Sequence, residues 1–441
     1  MKAKIFSLFI SLSVVACSSD NEIALTNPDV PSTSVTTLGG SKNESGQSII
    51  KTTDGGYAIL GFTQSADGDI SDKINESYDF WVLKYDTNHI LQWSKTYGGT
   101  GNDRGEKIVQ TPDGGYAVLG YSDSNDGDVT TNAGAQDYWL TKLDSSGNLI
   151  WQQSYGYAGS DRGTSLLVTS DGGFFMTGIL DVSASGGAGN TRNVSSRHAG
   201  GDYWALKLDN QGMIEWSKYY GGSFTDSPFD AIQTTDGDYI IVGSSDSDDV
   251  DITNNIGQYD FWVLKVSSSG AIIWEKNFGG TQIDEARGII DSGDGNYLII
   301  GDTRSEDIQI SNNLGAADLW LIKITPLGEL IWEKTLGGSN FDAGRSITKA
   351  SDNGFILSGN SRSADGNLTN NKGQNDGWLL KVDSNGSIIK QKSVGGLAID
   401  FCNSAIELDD KTIIGVGESS STDGDILENK GFTDLLIIKT K

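Results

Sequence analysis

A six-residue stretch, Asp79–Lys84 (DFWVLK), recurs along this chain and constrains its fold more than any other feature. Its copies begin at aspartates that are evenly spaced, except for one longer step in the third copy. The seven aspartates are Asp79, Asp137, Asp202, Asp260, Asp318, Asp376 and Asp434. A fixed period of this length is typical of repeat architectures, in which each repeat is one supersecondary unit.

Each repeat contains four short apolar runs that are rich in β-branched and aromatic residues and are separated by Gly, Asp, Asn or Ser. Such runs, joined by Asp-Gly and Ser-Gly turns, predict strands connected in hairpins. Sustained helical spacing does not occur in the repeats. We therefore predict an all-β chain of four-stranded antiparallel meanders. Seven meanders in one chain predict a seven-bladed β-propeller.

The two ends of the chain complement each other. The seventh repeat stops at Lys441, after its third strand, and lacks a fourth. Near the N-terminus, residues 34–40 align with residues 93–99, which form the fourth strand of the first repeat and the Gly-Gly after it. We therefore predict that the N-terminal strand completes the last blade and closes the ring, so that no sheet edge is left open there. The predicted propeller spans residues 34–441.

The N-terminus predicts export and a lipid anchor. Residues 1–16 form a secretory signal peptide, with a basic start and an apolar run too short to cross a membrane. The segment from Val14 to Cys17 resembles the bacterial lipobox, which implies cleavage before Cys17 and lipidation of Cys17. The alternative is an ordinary signal peptide with a chance cysteine. Residues 17–33 are expected to be a flexible tether. The resemblance implies the outer membrane or cell surface of a Gram-negative bacterium.

Charge limits the partners of the protein. The formal net charge is −27, and nucleic acid is not an expected partner because phosphate contacts need a basic face. We expect a monomer that contacts the membrane through its lipid anchor only. No cofactor is expected to be required, with Ca²⁺ as the alternative considered below.

The repeat pattern resembles that of secreted bacterial β-propeller repeat proteins, in which Gly-Gly, Asp-Gly-Gly-Tyr and Asp-x-Trp elements recur with fixed Trp and Lys positions. The match runs from residue 34 to residue 441. Proteins of this type are classed loosely with lectin-like or surface-binding repeats. The resemblance implies the propeller fold and a surface location, and it does not fix an activity.

Residues that recur in every repeat are expected to solve a structural problem that all blades share. We interpret the 11 tryptophans as core packing, with a sugar-stacking platform as the alternative. A second recurring set is acidic and opens the first strand of each blade. We expect it to accept backbone N–H groups at turns, with a cation on the axis as the alternative. This set, termed the acidic ring, comprises Glu44, Asp103, Asp161, Asp226, Asp284, Asp342 and Asp400.

The long loops between the second and third strands carry pairs of aspartates around one central residue. Closely spaced carboxylates suit Ca²⁺, which takes oxygen ligands from flexible loops. Asp-Gly is also a turn former, and both interpretations stay open. The candidate calcium ligands are Asp67, Asp69, Asp126, Asp128, Asp249, Asp251, Asp423 and Asp425.

Arginines differ between the repeats and are therefore candidates for a ligand site. Two of them lie one position after their acidic-ring residue, and the other two lie three positions after it. Because side chains alternate along a strand, these positions predict that all four point to the same side. At the channel mouth they would bind an anionic ligand, whereas pairing with the acidic ring is the alternative. These four are Arg104, Arg162, Arg287 and Arg345. A loop insertion in the third repeat adds the candidates Arg192, Arg197 and His198.

In an up-and-down meander, the long loops and the acidic ring fall on the same face. We expect function there, because binding residues favour loops on a rigid scaffold. We predict a lipid-anchored cell-envelope propeller that recognises a glycan or a protein on this long-loop face.

Enzyme activity is not favoured by the sequence. It contains no His-Glu-x-x-His zinc motif and no phosphate-binding Gly-Lys-Ser/Thr loop, and near-identical blades argue against an asymmetric catalytic centre. A polysaccharide-acting enzyme, a glycoside hydrolase or lyase with its site at the channel mouth, stays open because glycoside hydrolysis needs only two carboxyls. The third interpretation is a structural envelope protein.

Overall fold

The computed structural model describes residues 33–190 and 198–441, and within them the chain forms seven four-stranded antiparallel sheets arranged in a ring. The predicted all-β, seven-bladed propeller is confirmed. The first strands, which contact one another around the axis, are β2 (Glu44–Lys51), β6 (Asp103–Gln110), β10 (Arg162–Val168), β14 (Asp226–Gln233), β18 (Asp284–Asp291), β22 (Asp342–Lys349) and β26 (Asp400–Glu407). The second strands are β3 (Tyr57–Thr63), β7 (Tyr116–Ser122), β11 (Phe174–Asp181), β15 (Tyr239–Ser245), β19 (Tyr297–Thr303), β23 (Phe355–Ser361) and β27 (Ile413–Ser419).

The outer half of each blade repeats in the same way. The third strands are β4 (Asp79–Tyr85), β8 (Asp137–Leu143), β12 (Gly201–Leu208), β16 (Asp260–Val266), β20 (Asp318–Ile324), β24 (Asp376–Val382) and β28 (Asp434–Thr440). The fourth strands are β5 (Leu91–Tyr97), β9 (Leu149–Tyr155), β13 (Ile214–Tyr220), β17 (Ile272–Phe278), β21 (Leu330–Leu336), β25 (Ile388–Val394) and, for blade seven, β1 (Thr33–Leu38).

Strand β1 closes the ring as predicted. It pairs antiparallel with β28, from Thr33 opposite Thr440 to Leu38 opposite Leu435. The first strands of blades seven and one also contact each other, so the ring is continuous. Strand β28 ends near Thr440, on the face of the ring that carries the short turns. Because Thr33 lies opposite Thr440, β1 begins on that same face, and the chain enters the propeller there.

The core lies between adjacent blades. Trp139 contacts Phe80 of the preceding blade with ring centroids 4.6 Å apart, and Trp204 contacts Tyr138 in the same way at 4.8 Å. All six third-strand tryptophans are buried. Aromatic side chains bury large areas and dominate packing energies. Their recurrence at one position is therefore explained by contact between blades.

The meanders define two faces of the ring. The short turns between the first and second strands, and between the third and fourth, lie on the turn face. The loops between the second and third strands and the crossings to the next blade lie on the long-loop face. A four-residue helix, Val182–Ser185, lies in the long loop of blade three. In the described part of the chain, no helix has the length and apolar character needed to span a bilayer. The predicted signal peptide (residues 1–16) and Cys17 lie outside the described residues, as does the tether up to residue 32.

Candidate functional site

The acidic ring binds the backbone of the crossings between blades. Asp103 Oδ2 accepts the Gly99 N–H at 2.7 Å, and Asp342 Oδ2 accepts the Gly338 N–H at 2.7 Å. The other five members make the same bond to the residue four positions earlier, at 2.7–2.8 Å. All seven are buried. The prediction that these carboxylates accept backbone N–H groups is confirmed.

The paired aspartates of the long loops cap the same crossings. Asp67 Oδ1 accepts the Ser41 N–H at 2.8 Å, and Asp69 Oδ2 accepts the Gly39 N–H at 2.9 Å. Equivalent bonds are made by Asp126 and Asp128, Asp249 and Asp251, and Asp423 and Asp425. Within residues 33–190 and 198–441, no group of three or more His, Cys, Asp or Glu side chains is placed to hold a metal ion. Calcium binding by these loops stays a prediction.

Every first strand carries a β-bulge at the same position. In β6, Gly105 pairs with Gly120 and Lys107 pairs with Leu119, which leaves Glu106 without a partner across the sheet. A bulge re-aims the unpaired side chain, and all seven bulge residues line one cavity of about 370 Å³ in the central channel. These residues are Gln47, Glu106, Thr164, Phe229, Arg287, Arg345 and Asn403.

Packing between blades explains why the residue before each bulge is small and the bulge residue is not constrained. A Cβ added at Gly105 would lie 2.6 Å from Leu60 Cδ1 of the preceding blade, and one added at Gly163 would lie 2.9 Å from Leu119. The bulge residue itself faces the channel and meets no such limit. Its identity therefore differs from blade to blade, in contrast to the repeated scaffold around it.

The six arginines of the described residues lie on the long-loop face, four of them at or beside this cavity and two directly after the second strands β19 and β23. Arg162, Arg287 and Arg345 line the cavity itself. Arg104 lies beside it, with its guanidinium carbon 4.0 Å from the centroid of the Tyr78 ring. The set, termed the arginine mouth, comprises Arg104, Arg162, Arg287, Arg304, Arg345 and Arg362. Only two other arginines occur in the sequence, Arg192 and Arg197, and both lie outside the described residues.

Aromatic rings support the arginine mouth. Arg287 stacks over the Phe229 ring at 4.0 Å. The Phe341 ring lies between two further guanidinium groups, those of Arg304 at 5.6 Å and Arg362 at 5.8 Å. Cation–π contacts of this kind stabilise a guanidinium, and stacking leaves N–H groups at the guanidinium edge available to a ligand.

Four carboxyls lie near the arginines of the mouth, and burial raises the pKa of three of them. Burial raises the pKa of Glu106 to about 7, although two neighbouring arginines oppose the shift. Burial also raises the pKa of Asp302 to about 6 and raises the pKa of Glu418. The fourth carboxyl, Glu285, accepts an N–H of Arg287 at 2.9 Å. The six arginines of the mouth thus outnumber these four carboxyls, and a fifth carboxyl at the cavity, Asp230, is paired with Lys107.

The structure brings together the four arginines that the sequence singled out, but strand alternation is not the reason for all four. Two of them are bulge residues outside the strand register. Three of the four donate hydrogen bonds to Gln136, Glu285 and Asn360. The alternative of pairing with the acidic ring is wrong, because the ring carboxylates bind backbone N–H groups of the crossings. The four are Arg104, Arg162, Arg287 and Arg345.

Sequence reasoning missed Arg304 and Arg362, and it missed the bulge residues as a set. Arg304 directly follows β19 and Arg362 directly follows β23, so both occupy the same position in neighbouring blades. An alignment of the arginines blade by blade contains this signal. The bulges carry no such signal, because they depend on packing against the preceding blade.

His198 is buried and holds the long loop of blade three. Its Nδ1 lies 2.5 Å from Asp202 Oδ2, and its side chain is 2% exposed. In blade two, the equivalent Asp137 accepts the backbone N–H of Ala133, also four residues earlier, at 2.6 Å. The imidazole thus replaces a backbone donor and does not face solvent as a ligand contact would. The two arginines of the same insertion lie outside the described residues.

Comparisons with known proteins assign no family to the chain. No family model matches the chain, and no curated protein matches it. Among solved structures, it is similar to a protein of unknown function from Bacteroides caccae, with 10% identity, a TM-score of 0.40, and coverage of 76% of this chain and 93% of that chain. A protein of unknown function from Dyadobacter fermentans shows 11% identity and a TM-score of 0.42, over 92% of this chain and 98% of that chain. The Pan2 WD40 domain of Neurospora crassa shows 9% identity and a TM-score of 0.48, over 91% and 95%. At these identities the likeness concerns the fold alone.

Proposed function

We propose that this protein is a lipid-anchored binding propeller of the cell envelope whose arginine mouth recognises an anionic ligand, which we expect to be an acidic glycan. The observation that carries the proposal is the gathering of the six arginines of the described residues on one face, with three of them lining one cavity, in a chain with a formal net charge of −27. Like charges held together repel one another, and an anionic ligand offsets that repulsion.

The chemistry of the mouth suits a sugar acid. A guanidinium binds a carboxylate or sulfate through two parallel N–H groups. The aromatic rings beside the arginines, among them Phe229 and Tyr121, offer apolar faces against which a sugar ring packs. The cavity of about 370 Å³ lies within the size range of small-ligand sites.

The topology suits presentation of the mouth to the medium. Strand β1 enters the propeller from the turn face, where Thr33 pairs with Thr440. A tether that joins Cys17 to this strand therefore reaches the turn face first. Anchored in this way, the protein would turn its arginine mouth away from the membrane.

Binding of the full-length protein, in mild detergent, to immobilised acidic and neutral polysaccharides tests the proposal. We expect selective binding to acidic chains that weakens as salt is raised, because exposed charge pairs are screened. A double variant, Arg287→Gln with Arg345→Gln, should lose this binding. The matched control is Lys349→Gln, which removes one charge at the exposed turn-face end of β22. A flat panel would contradict the proposal and favour a protein partner or a structural role.

A second candidate function is polysaccharide cleavage at the same mouth. The observation that favours it is Glu106, a cavity-lining carboxyl whose pKa burial raises to about 7. A carboxyl with such a pKa exchanges protons readily at neutral pH, as general acid–base catalysis requires. This candidate predicts that the protein releases new chain ends from an acidic polysaccharide. Glu106→Gln should then abolish release while binding is retained, whereas binding without release by the unmodified protein favours the first candidate.

A further inference from the structure

The cavity behind the arginine mouth has a floor. In the described part of the chain, its lining residues extend along five of the seven first strands to the position after the bulge residue, and along β10 and β18 they end at the bulge residue itself. We term the seven residues at the position after each bulge the floor layer. It consists of Ser48, Lys107, Ser165, Asp230, Gly288, Ser346 and Ser404.

An ion pair in the floor layer spans non-neighbouring blades. Lys107 Nζ lies 2.9 Å from Asp230 Oδ1, and because these residues belong to blades two and four, the pair passes in front of blade three. Asp230 also accepts the Ser165 hydroxyl of blade three at 2.9 Å and the Ile289 N–H of blade five at 3.3 Å. Four consecutive blades thus meet at one carboxylate that is only 14% exposed.

Serines continue the floor layer on the other side of the channel. Ser404 Oγ accepts the Ile49 N–H of the next blade at 3.4 Å, and Ser48 Oγ accepts the Ile108 N–H at 3.5 Å. Both serines line the cavity. These bonds direct the two serine side chains toward the neighbouring first strands, and they connect blade seven to blade one and blade one to blade two.

The arginines above the floor offer unused donors. The Nε of Arg287 is buried, and it has no hydrogen-bond partner among the described residues. The Arg345 guanidinium is so buried that its pKa is lowered, with the charge of Arg287 adding to the effect. A buried N–H without a partner and a desolvated cation are both costly unless a ligand satisfies them. A carboxylate inside the cavity does so.

From this geometry we infer that the arginine mouth takes the end of an acidic glycan: the terminal sugar acid enters the cavity and the rest of the chain leaves toward solvent. The inference rests on the proposed function and specifies its ligand. A segment from the middle of a chain needs an exit at the far side of the cavity, where the floor layer lies. A terminal residue needs one opening, and it brings its carboxylate to Arg287 and Arg345.

Titration calorimetry with uronic-acid chains of increasing length tests this inference. The probes are galacturonate, its dimer and tetramer, and long polygalacturonate, each added to the full-length protein in mild detergent. End-on binding predicts that each oligosaccharide chain binds one protein, whatever its length. The affinity per chain should be the same for the tetramer and for long polygalacturonate. A number of bound proteins that grows with chain length would overturn the inference and leave the proposed function standing. The absence of binding by every acidic chain would overturn both.

A variant that fills the cavity gives an independent test. Gln47→Phe places a phenyl group at a bulge position where blade four already carries Phe229, so the scaffold is expected to tolerate it. Affinity for the tetramer should fall on the order of tenfold or more, because the terminal residue is excluded. An unchanged melting temperature establishes that the variant is folded. Lys349→Gln, prepared in the same way, is the control and should keep the affinity of the unmodified protein. Full affinity in folded Gln47→Phe would contradict the inference. If Gln47→Phe does not fold, Thr164→Leu at another bulge position replaces it.

Discussion

At the scale of single residues, Glu106 decides how strongly the arginine mouth attracts an anion. Because burial raises its pKa to about 7, Glu106 is mostly neutral at about pH 6 and mostly charged at about pH 8. Deprotonation places a negative charge inside the cavity, so affinity for an acidic oligosaccharide should fall as pH rises through this window. We expect a decrease on the order of tenfold, measured by titration calorimetry at both pH values.

The matched variant for this prediction is Glu106→Gln, which keeps the size of the side chain and removes its titration. Its affinity should fall less between the two pH values than that of the unmodified protein, and the fall that is left belongs to Asp302, whose pKa of about 6 lies in the same window. If Glu106→Gln keeps the full pH dependence, another group is responsible and the assignment to Glu106 is wrong.

A glycine at each crossing is squeezed between two carboxyls. A Cβ added at Gly98 would lie 2.5 Å from Asp103 Oδ2 and 2.9 Å from Asp79 Oδ1. Gly98→Ala should therefore lower the free energy of unfolding by about 1–3 kcal/mol, the usual cost of overpacking. Chemical denaturation measures this loss. Gly288→Ala is the control, since its Cβ would come no closer than 3.1 Å to Ile300 Cγ2 and 3.5 Å to Ile347 Cγ2. Equal losses in the two variants would contradict the explanation.

At the scale of secondary-structure elements, β1 closes the ring by completing the sheet of blade seven. It pairs with β28 over its whole length, and Val35 packs against the buried cluster of blade seven. A chain that begins at residue 39 exposes the edge of β28 and part of that cluster. We expect it to melt about 10 °C or more below a chain that begins at residue 33, and to aggregate through the open edge. Calorimetry and size-exclusion chromatography measure both effects, and equal melting temperatures would show that β1 is dispensable.

The strands and the ring closure could be predicted from sequence because both are periodic. Short apolar runs, Asp-Gly turns and the match of residues 34–40 to 93–99 carry that information directly. The bulges could not be predicted, since they arise where Gly105 and its equivalents meet Leu60 and its equivalents in the preceding blade. Strand alternation therefore accounts for the side on which Arg104 and Arg162 lie, whereas Arg287 and Arg345 lie at bulges. Arg304 and Arg362 share a position after the second strand, and that signal becomes visible only when the blades are aligned with one another.

At the scale of the whole molecule, each junction between two blades holds a pair of buried carboxyls, one from each blade. Each third-strand aspartate lies beside the acidic-ring residue of the next blade, with the first residue of the crossing between them, as Asp79 and Asp103 flank Gly98. Burial is the largest cause of raised pKa values in this system, and the neighbouring carboxylate adds to the effect at several sites. The pKa is raised to about 7 for Asp79 and Asp260, to about 6 for Asp161 and Asp318, and to about 8 for Asp226.

These shifts predict that the propeller loses stability as the solution becomes alkaline. A carboxyl whose pKa is higher in the folded than in the unfolded state stabilises the fold at low pH, and this contribution is lost as pH rises through the folded pKa. The turn-face aspartates Asp113 and Asp171 act in the opposite sense, but only at acid pH, because their pKa values are lowered to about 2. The melting temperature should therefore be higher at about pH 5 than at about pH 8.5. Asp226→Asn removes one of these titrating carboxyls. It should therefore reduce the slope of the unfolding free energy against pH by up to about 1.4 kcal/mol per pH unit, which is the effect of one proton. A melting temperature that does not fall between the two pH values would contradict these raised pKa values.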